Sequence, residues 1–425
     1  MTETFTLLKL TDELNISFGF DGFSRIMLPV VLILFAMAIY YSTAYIRDKK
    51  HMIRYYCFLC LAGAALVLMS LSANLFTFYL NYELLTLMSA PLVMHEETKE
   101  ALTAGFKYLI YSFGGAYLVL FGFFVLSKYL PSFDFVNGGQ GVFASGVPGL
   151  ATIAVFSMIL GFGVKAGMWP FHSWLTSAHP VAVSPASAIL SGIVTGAGAA
   201  GIVRLLYFTT GTEVLKGTVF QTVWSILTLA TVLMGSLLAF FEPVLKRRLA
   251  YSTISQMSYI LFGLSLFDDS AYHGAMLQFV SHAFAKCALF LIAGALIKVS
   301  GCVKVSDMKG IGKKHPLIMW CYIFAALSMV GIPPTGGFMA KWYLLLGAVA
   351  SDNVFIRWAG PTVLLVSALL TAGYLFPLAM RGFLPGRDFE YKNRDAGLGH
   401  RYGIPIAVLT ILAVFAGIVP GLFVK

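Results

Sequence analysis

Three lysines stand inside apolar runs, where a charge is costly and usually present for function: Lys165, Lys286 and Lys341. Lys165 belongs to GFGVKAGMWPFHSWLTSAHPVAVSPASAIL (161–190), near the end of an apolar run that begins at Val147. Trp169-Pro170 interrupts that run, His172 and His179 follow, and a second run starts near Ser184. Proline and irregular backbone are tolerated at membrane depth only where protein or a wet cavity surrounds them, so this pattern predicts an ion path. In AMLQFVSHAFAKCALFLIAG (275–294), Gln278, His282 and Lys286 recur at i, i+4 and i+8. That spacing is a polar stripe of about 12 Å on one face of a helix. Lys341 follows a break at Pro333-Pro334 and Gly336-Gly337 in MVGIPPTGGFMAKWYLLLGA (329–348). Glu83, in NYELLTLMSAPLV (81–93), sits a short way into an apolar helix and calls for a cationic partner, with Lys107 within reach from the loop side.

Each residue also has a plainer reading. Lys165 and Lys107 can snorkel to an interface, Glu83 can reach headgroup water, and Lys286 can be neutralised by a structural partner. His172 and His179 can be ordinary hydrogen-bonded histidines. Neither has metal-ligand spacing with a carboxylate or cysteine, and Cys57 and Cys60 stand on a hydrophobic span with no second pair. No metal or iron–sulfur site is expected in this chain, and no nucleophile–base pair or phosphate loop is found.

The elements that must position these residues follow from composition. At 59% hydrophobic and 11% charged residues, with mean hydropathy +0.83, the chain is an all-α integral membrane protein. Spans are expected near 26–46, 55–72, 73–94, 104–128, 149–170, 184–208, 219–241, 249–267, 272–298, 316–347, 357–380 and 402–424, about twelve in all. No soluble domain fits between them, and no signal peptide is expected. The whole of 1–425 reads as one membrane domain. Its parts are an N-terminal segment with peripheral helices (1–72), a first repeat (73–208), a second repeat (219–347) and C-terminal helices (357–425).

The net charge of +10 is mostly topological, not a nucleic-acid signal. With the N-terminus outside, nineteen Lys/Arg fall on the inner side and seven, Arg204 among them, outside. This bias predicts both termini on the outer side of the inner (cell) membrane. Two broken helices, with lysines 176 residues apart (341 − 165), suggest an inverted internal repeat.

At these residues the chain resembles the antiporter-like subunits of respiratory complex I, of membrane-bound hydrogenases and of Mrp Na⁺/H⁺ antiporters. The similarity runs in order through GFDGFSR (19–25), NYELLTLMSAPL, KAGMWPFHSWLTSAHPVAVSPASAIL, LKRRLAYSTISQMSYILFGL, FVSHAFAKCALFLIAG and GIPPTGGFMAKWYLL. The resemblance implies two inverted five-helix repeats with broken helices at 149–182 and 316–347. It implies an ion pair of Glu83 with Lys165, a central relay of His282 and Lys286, and an outer terminus at Lys341. It also implies a proton-translocating subunit of a redox-driven complex, with an Mrp-type Na⁺/H⁺ antiporter subunit and a non-pumping structural subunit as alternatives. Cofactors are expected only in partners, as iron–sulfur clusters with NiFe or flavin. The partners would be other membrane subunits, a peripheral redox arm and the lipid bilayer; protons, or else Na⁺, would be carried.

Three departures stand out. Such subunits usually have fourteen spans, and this chain begins where their third would. The bridging lysine often found on the sixth span falls at about Gly196, and Gln278 takes a place often held by histidine; the link from Lys165 to His282 must then run through water or His179. The long lateral helix of some members is absent after the last span.

Overall fold

The computed structural model describes residues 4–11, 14–47, 50–143, 146–386 and 398–422. Twelve crossings are found among them. They are α1 (Gly22–Tyr45), α2 (Met52–Ser70), α3 (Leu75–Val93), α4 (Lys99–Leu126), α5 (Gly149–Ala166) continued by α6 (Ser173–Val181), and α7 (Ser184–Thr210). The second half adds α8 (Val219–Phe241), α9 (Leu245–Ser265), α10 (Asp269–Ser300), α11 (Pro316–Val330) continued by α12 (Gly336–Val349), α13 (Val354–Phe383) and α14 (His400–Ile418). Nine helices are long and apolar enough to span alone. The others are α3 and α9, diluted by polar residues such as Glu83 and Gln256, and the broken α11/α12. An even count puts the start of α1 and the end of α14 on one face, here termed the N-terminal face.

Among the described residues of 1–72, helices lie where spans were expected at 26–46 and 55–72, and a strand hairpin precedes them where peripheral helices were expected. β1 (Phe5–Lys9) and β2 (Asn15–Phe18) form an antiparallel hairpin, and α1 and α2 are full crossings. Asn74 caps α3 by accepting from Thr77 N, and its amide donates to Asn15 O (3.0 Å) and Ser17 Oγ (2.8 Å). One side chain thus starts a helix and anchors the hairpin. The segments 73–208 and 219–347 hold four crossings each, so five per repeat are reached by adding α2 to the first and α13 to the second.

Burial sorts the helices into centre and rim. The apolar part of α7 is wholly buried and that of α10 is 94% buried, against 39% for α2, α4 and α13. The cause in α7 is its small residues, which let neighbouring backbones approach. A Cβ on Gly198 would lie 2.4 Å from Phe162 O of α5. Two π-helical segments, Leu190–Val194 and Arg204–Thr210, interrupt α7; such bulges re-aim side chains and often mark functional positions.

Arg204 corrects the charge count, because it is not a loop residue. It is fully buried at the N-terminal-face end of α7 and paired with Asp21, the N-cap of α1 (Nη2 to Oδ1 3.2 Å). The rings of Phe23, Phe135 and Phe208 surround its guanidinium at 4.7, 4.3 and 4.8 Å. Breaking a buried pair from one side leaves an uncompensated charge and costs about 3–5 kcal/mol, whereas apolar replacement of both partners is near neutral. Asp21→Ala should therefore unfold in detergent at clearly lower temperature, and adding Arg204→Met should recover much of the loss. A double variant less stable than the single would contradict this account.

Candidate functional site

The first break begins where α5 ends. Gly167 takes a left-handed conformation (φ +77°), Trp169-Pro170 turns the chain, and α6 resumes at Ser173. The Trp174 indole donates to Val164 O (2.9 Å), which also accepts from Gly167 N (3.1 Å), so α6 is tied to the last turn of α5. Lys165 is wholly buried there, so it does not snorkel. Its Nζ donates to Thr86 Oγ1 (2.6 Å) and Tyr82 O (3.1 Å) and lies 3.6 Å from the centre of the Tyr82 ring.

Glu83 lies between those two partners in sequence, at the middle of α3 and not near its end. The structure forms no ion pair between Glu83 and Lys165; Glu83 Oε1 is buried without a hydrogen-bond partner. The two charges still act on each other, because Lys165 is bonded to Tyr82 and Thr86, on the turn of α3 that carries Glu83. Lys107 does not serve Glu83 either, since it donates to Ser177 Oγ of α6 (3.1 Å). Beside it Ser173 bonds Tyr111 OH (2.8 Å), and His172, the half-buried N-cap of α6, leaves Nδ1 unpartnered.

The centre is built on α9 and α10, which run antiparallel. Lys286, fully buried, donates to Leu249 O (3.2 Å). That carbonyl also accepts from Thr253 Oγ1 (2.9 Å), which lies 2.6 Å from Ser191 Oγ on the first π segment of α7. One helical turn along, His282 is 1% exposed with Nε2 unpartnered. A turn further, Gln278 Nε2 donates to Gln256 Oε1 (2.8 Å), and Gln256 Nε2 to Met329 O (3.4 Å). His179 stacks on Phe290 of α10 at 4.7 Å, fully buried, and neither ring nitrogen has a partner.

The second break follows from proline chemistry. In a continuing helix the amides of residues 333 and 334 would bond the carbonyls of Met329 and Val330, but proline has no N–H to give. Lys341 supplies the missing donors: its Nζ lies 2.6 Å from Met329 O and 2.8 Å from Val330 O. Gly337 permits this, since a Cβ there would fall 1.8 Å from Ser328 O. Met329 O is shared by Lys341 and Gln256, so Gln278, Gln256 and Lys341 form one connected group.

The structure therefore joins Gln278 to Lys341, and joins Lys286, through the shared carbonyl of Leu249, to a hydroxyl pair of Thr253 on α9 and Ser191 on α7. Lys165 with Glu83 remains a separate group on α3 and α5. Between the groups, the Phe279 ring covers Gly196, where a Cβ would lie 2.9 Å from Cε2. The position a bridging lysine would take is filled by an aromatic ring. Buried polar atoms without protein partners (Glu83 Oε1, His172 Nδ1, both His179 nitrogens, His282 Nε2, Gln278 Oε1) recur along the series. Such atoms are rare in folded proteins unless water meets them. Sequence reasoning missed Ser191 and Thr86; a lone hydroxyl in an apolar run carries no periodic signal.

Twelve crossings, two of them broken beside a buried lysine, define a polytopic membrane protein of the ion-path type. The family described as "NADH:quinone oxidoreductase/Mrp antiporter, TM" matches residues 72–371, and the chain belongs to it. It is 32% identical over 411 residues to NADH-quinone oxidoreductase subunit N of Desulforudis audaxviator, covering 93% of this chain and 80% of that one. Hydrogenase-4 component B of Escherichia coli is 30% identical over 375 residues, covering 84% of this chain and 55% of that longer protein. Among solved structures, a chain of the Mrp complex from Dietzia sp. superposes with TM-score 0.86 at 21% identity, over 100% of this chain and 85% of that one. At that identity the likeness establishes the shared fold.

Proposed function

We propose that the chain is a proton-translocating membrane subunit of a larger, redox-driven complex. The observation that carries this reading is the series of buried lysines, each held only by neutral oxygens: Lys165 by Tyr82 O and Thr86, Lys286 by Leu249 O, Lys341 by Met329 O and Val330 O. A buried ammonium without a counter-ion is poised to lose its proton when its surroundings change. Glu83 supplies the change at Lys165. Closing two charges to about 4 Å at an effective dielectric near 20 is worth about 4 kcal/mol, while moving one charge through 100 mV costs about 2.3 kcal/mol. Opening and closing that pair is thus sufficient to drive a proton against a membrane potential.

His282 and Lys286 act as the central relay in this reading. Gln278 and Gln256 carry its polarity to Lys341, and His172 and His179 serve the inner approach. With no redox group read in this chain, the driving reaction lies in partners: a peripheral arm with iron–sulfur clusters and NiFe or flavin, and other membrane subunits. The relatives named as oxidoreductase and hydrogenase components support that placement. The loop charges support a cell (inner) membrane location with both termini outside. An Mrp-type Na⁺/H⁺ antiporter subunit is the second reading, favoured by the oxygen-lined second break. The covered Gly196 favours a third, a structural subunit that no longer pumps.

Inverted vesicles carrying the intact complex decide among them. Donor-driven proton uptake in wild type, abolished by Lys165→Ala, is the expected result. Uptake that requires only an imposed Na⁺ or pH gradient would favour the antiporter reading. If the substitution alters neither, the chain is scaffold.

A further inference from the structure

The second break has the chemistry of a cation site, and its occupant in this structure belongs to the chain itself. Four observations converge there. Pro333 and Pro334 remove the two amides that would have satisfied Met329 O and Val330 O, leaving two carbonyls at the C-terminal end of a half-helix inside the membrane. Both carbonyls converge on one cation, the Lys341 ammonium, at 2.6 and 2.8 Å. The Tyr259 ring faces the same ammonium, 5.0 Å from its centre, and adds an electron-rich face. A cavity of about 110 Å³ adjoins the group, lined by Lys341 and by apolar side chains of α11, α12 and α13 such as Val330, Trp342 and Leu364, and it gives the Lys341 side chain room to leave the two carbonyls.

A further ligand lies within reach. Gln256 turns its amide nitrogen toward Met329 O and its oxygen toward Gln278, whose own Oε1 has no partner. If both amides flip together, Gln256 Oε1 faces the break, and Gln256 Nε2 gains the unpartnered Gln278 Oε1 as its acceptor. The pair therefore satisfies either a donor or a cation at the break. Unwound carbonyls and half-helix C-termini of this kind replace the hydration shell of small monovalent ions.

We propose that Met329 O, Val330 O and Gln256 Oε1 form the protein ligands of a monovalent-cation site of Na⁺ type for which the Lys341 ammonium is the tethered competitor. The carbonyls hold one cation at a time, so a free ion binds only when the Lys341 side chain leaves them. This deepens the reading of Lys341 as the end of the path: the ion that reaches it exchanges with the ammonium at a fixed oxygen cage.

The test is equilibrium ²²Na⁺ binding to the purified complex, with choline replacing Na⁺ as the blank. Lys341→Met should unmask one site per chain that wild type binds far more weakly. Adding Gln256→Leu should weaken it about tenfold, the loss of one ligand worth about 1.4 kcal/mol. Adding Pro333→Ala and Pro334→Ala, which returns N–H donors to both carbonyls, should abolish it. Lys341→Gln repeats the test should the methionine variant fail to assemble. An assembled Lys341 variant that binds no more Na⁺ than wild type overturns the proposal, as does binding unaffected by the proline replacements. The result is separable from the function proposed above. Lys165-dependent proton uptake without Na⁺ binding at the break removes this site and leaves the path. Na⁺ binding without any driven ion movement does the reverse.

Discussion

Lys286→Met should reduce donor-driven proton uptake to the level of uncoupled vesicles while leaving the assembled complex as stable as wild type, or more so. The two halves of this expectation come from one observation. Lys286 is fully buried, and its printed hydrogen bond goes to a neutral carbonyl, Leu249 O; among the described residues no ion pair involves it. Removing it strands no opposite charge, and Leu249 O keeps its bond from Thr253 Oγ1. Exchange of a buried charge for an apolar side chain of similar length is neutral or stabilising by about 1–4 kcal/mol. Arg204 is the contrast within the same chain: it is paired with Asp21, which is only one-quarter exposed, so removal of either one leaves the other's charge uncompensated. A lysine kept where methionine would be more stable is kept for what its proton does. Thermal unfolding in detergent and proton uptake in vesicles, measured on one preparation, check both halves. Undiminished uptake would remove Lys286 from the path; lost uptake together with a much less stable complex would make it a structural residue.

The architecture was largely legible because the bilayer imposes it. Apolar length marks most crossings, and the breaks are marked by proline together with glycine, as at Gly167 with Pro170 and at Pro333-Pro334 with Gly336-Gly337. The lone prolines Pro29, Pro91, Pro361, Pro377 and Pro405 lie inside continuous helices. Buried lysines were legible for the same reason: at 165, 286 and 341 each stands inside an apolar run, and all three are buried. The partners of those lysines were not legible. The resemblance implied Glu83 for Lys165, and opposite charge suggested Lys107 for Glu83, yet the hydrogen bonds of Lys165 and Lys107 go to hydroxyls and a carbonyl. Backbone carbonyls have no side-chain signature, so a sequence cannot advertise them except through the prolines that free them. The hairpin at 5–18 was missed because nine strand residues show too short an alternation to outweigh the apolar runs beside them. Arg204 was counted with the outer charges because it stands near the end of the expected span 184–208. Its true signal was Asp21 in GFDGFSR, a carboxylate ahead of a span with phenylalanines on either side.

Gly337→Ala should be the most damaging single-methyl change in the second half of the chain. The added Cβ would fall 1.8 Å from Ser328 O and 2.9 Å from Ser328 C. Those atoms are backbone, so no side-chain rotation relieves the contact, and α12 must move away from the end of α11. Overpacking of a tight core costs about 1–3 kcal/mol and shifts backbone. Here the shifted backbone leads directly into Met329 O and Val330 O, whose 2.6 and 2.8 Å bonds to Lys341 set the geometry of the break. The variant should therefore lose stability and, in whatever assembles, the Lys341-dependent part of ion transport. Gly114→Ala is the matched control, since a Cβ at Gly114 meets nothing within 4 Å and the exchange favours helix by about 1 kcal/mol. A Gly337→Ala complex that unfolds and transports like the Gly114→Ala control would mean that the two half-helices have room to part. In that event the close approach of Gly337 to Ser328 would not be what seats Lys341 on its two carbonyls.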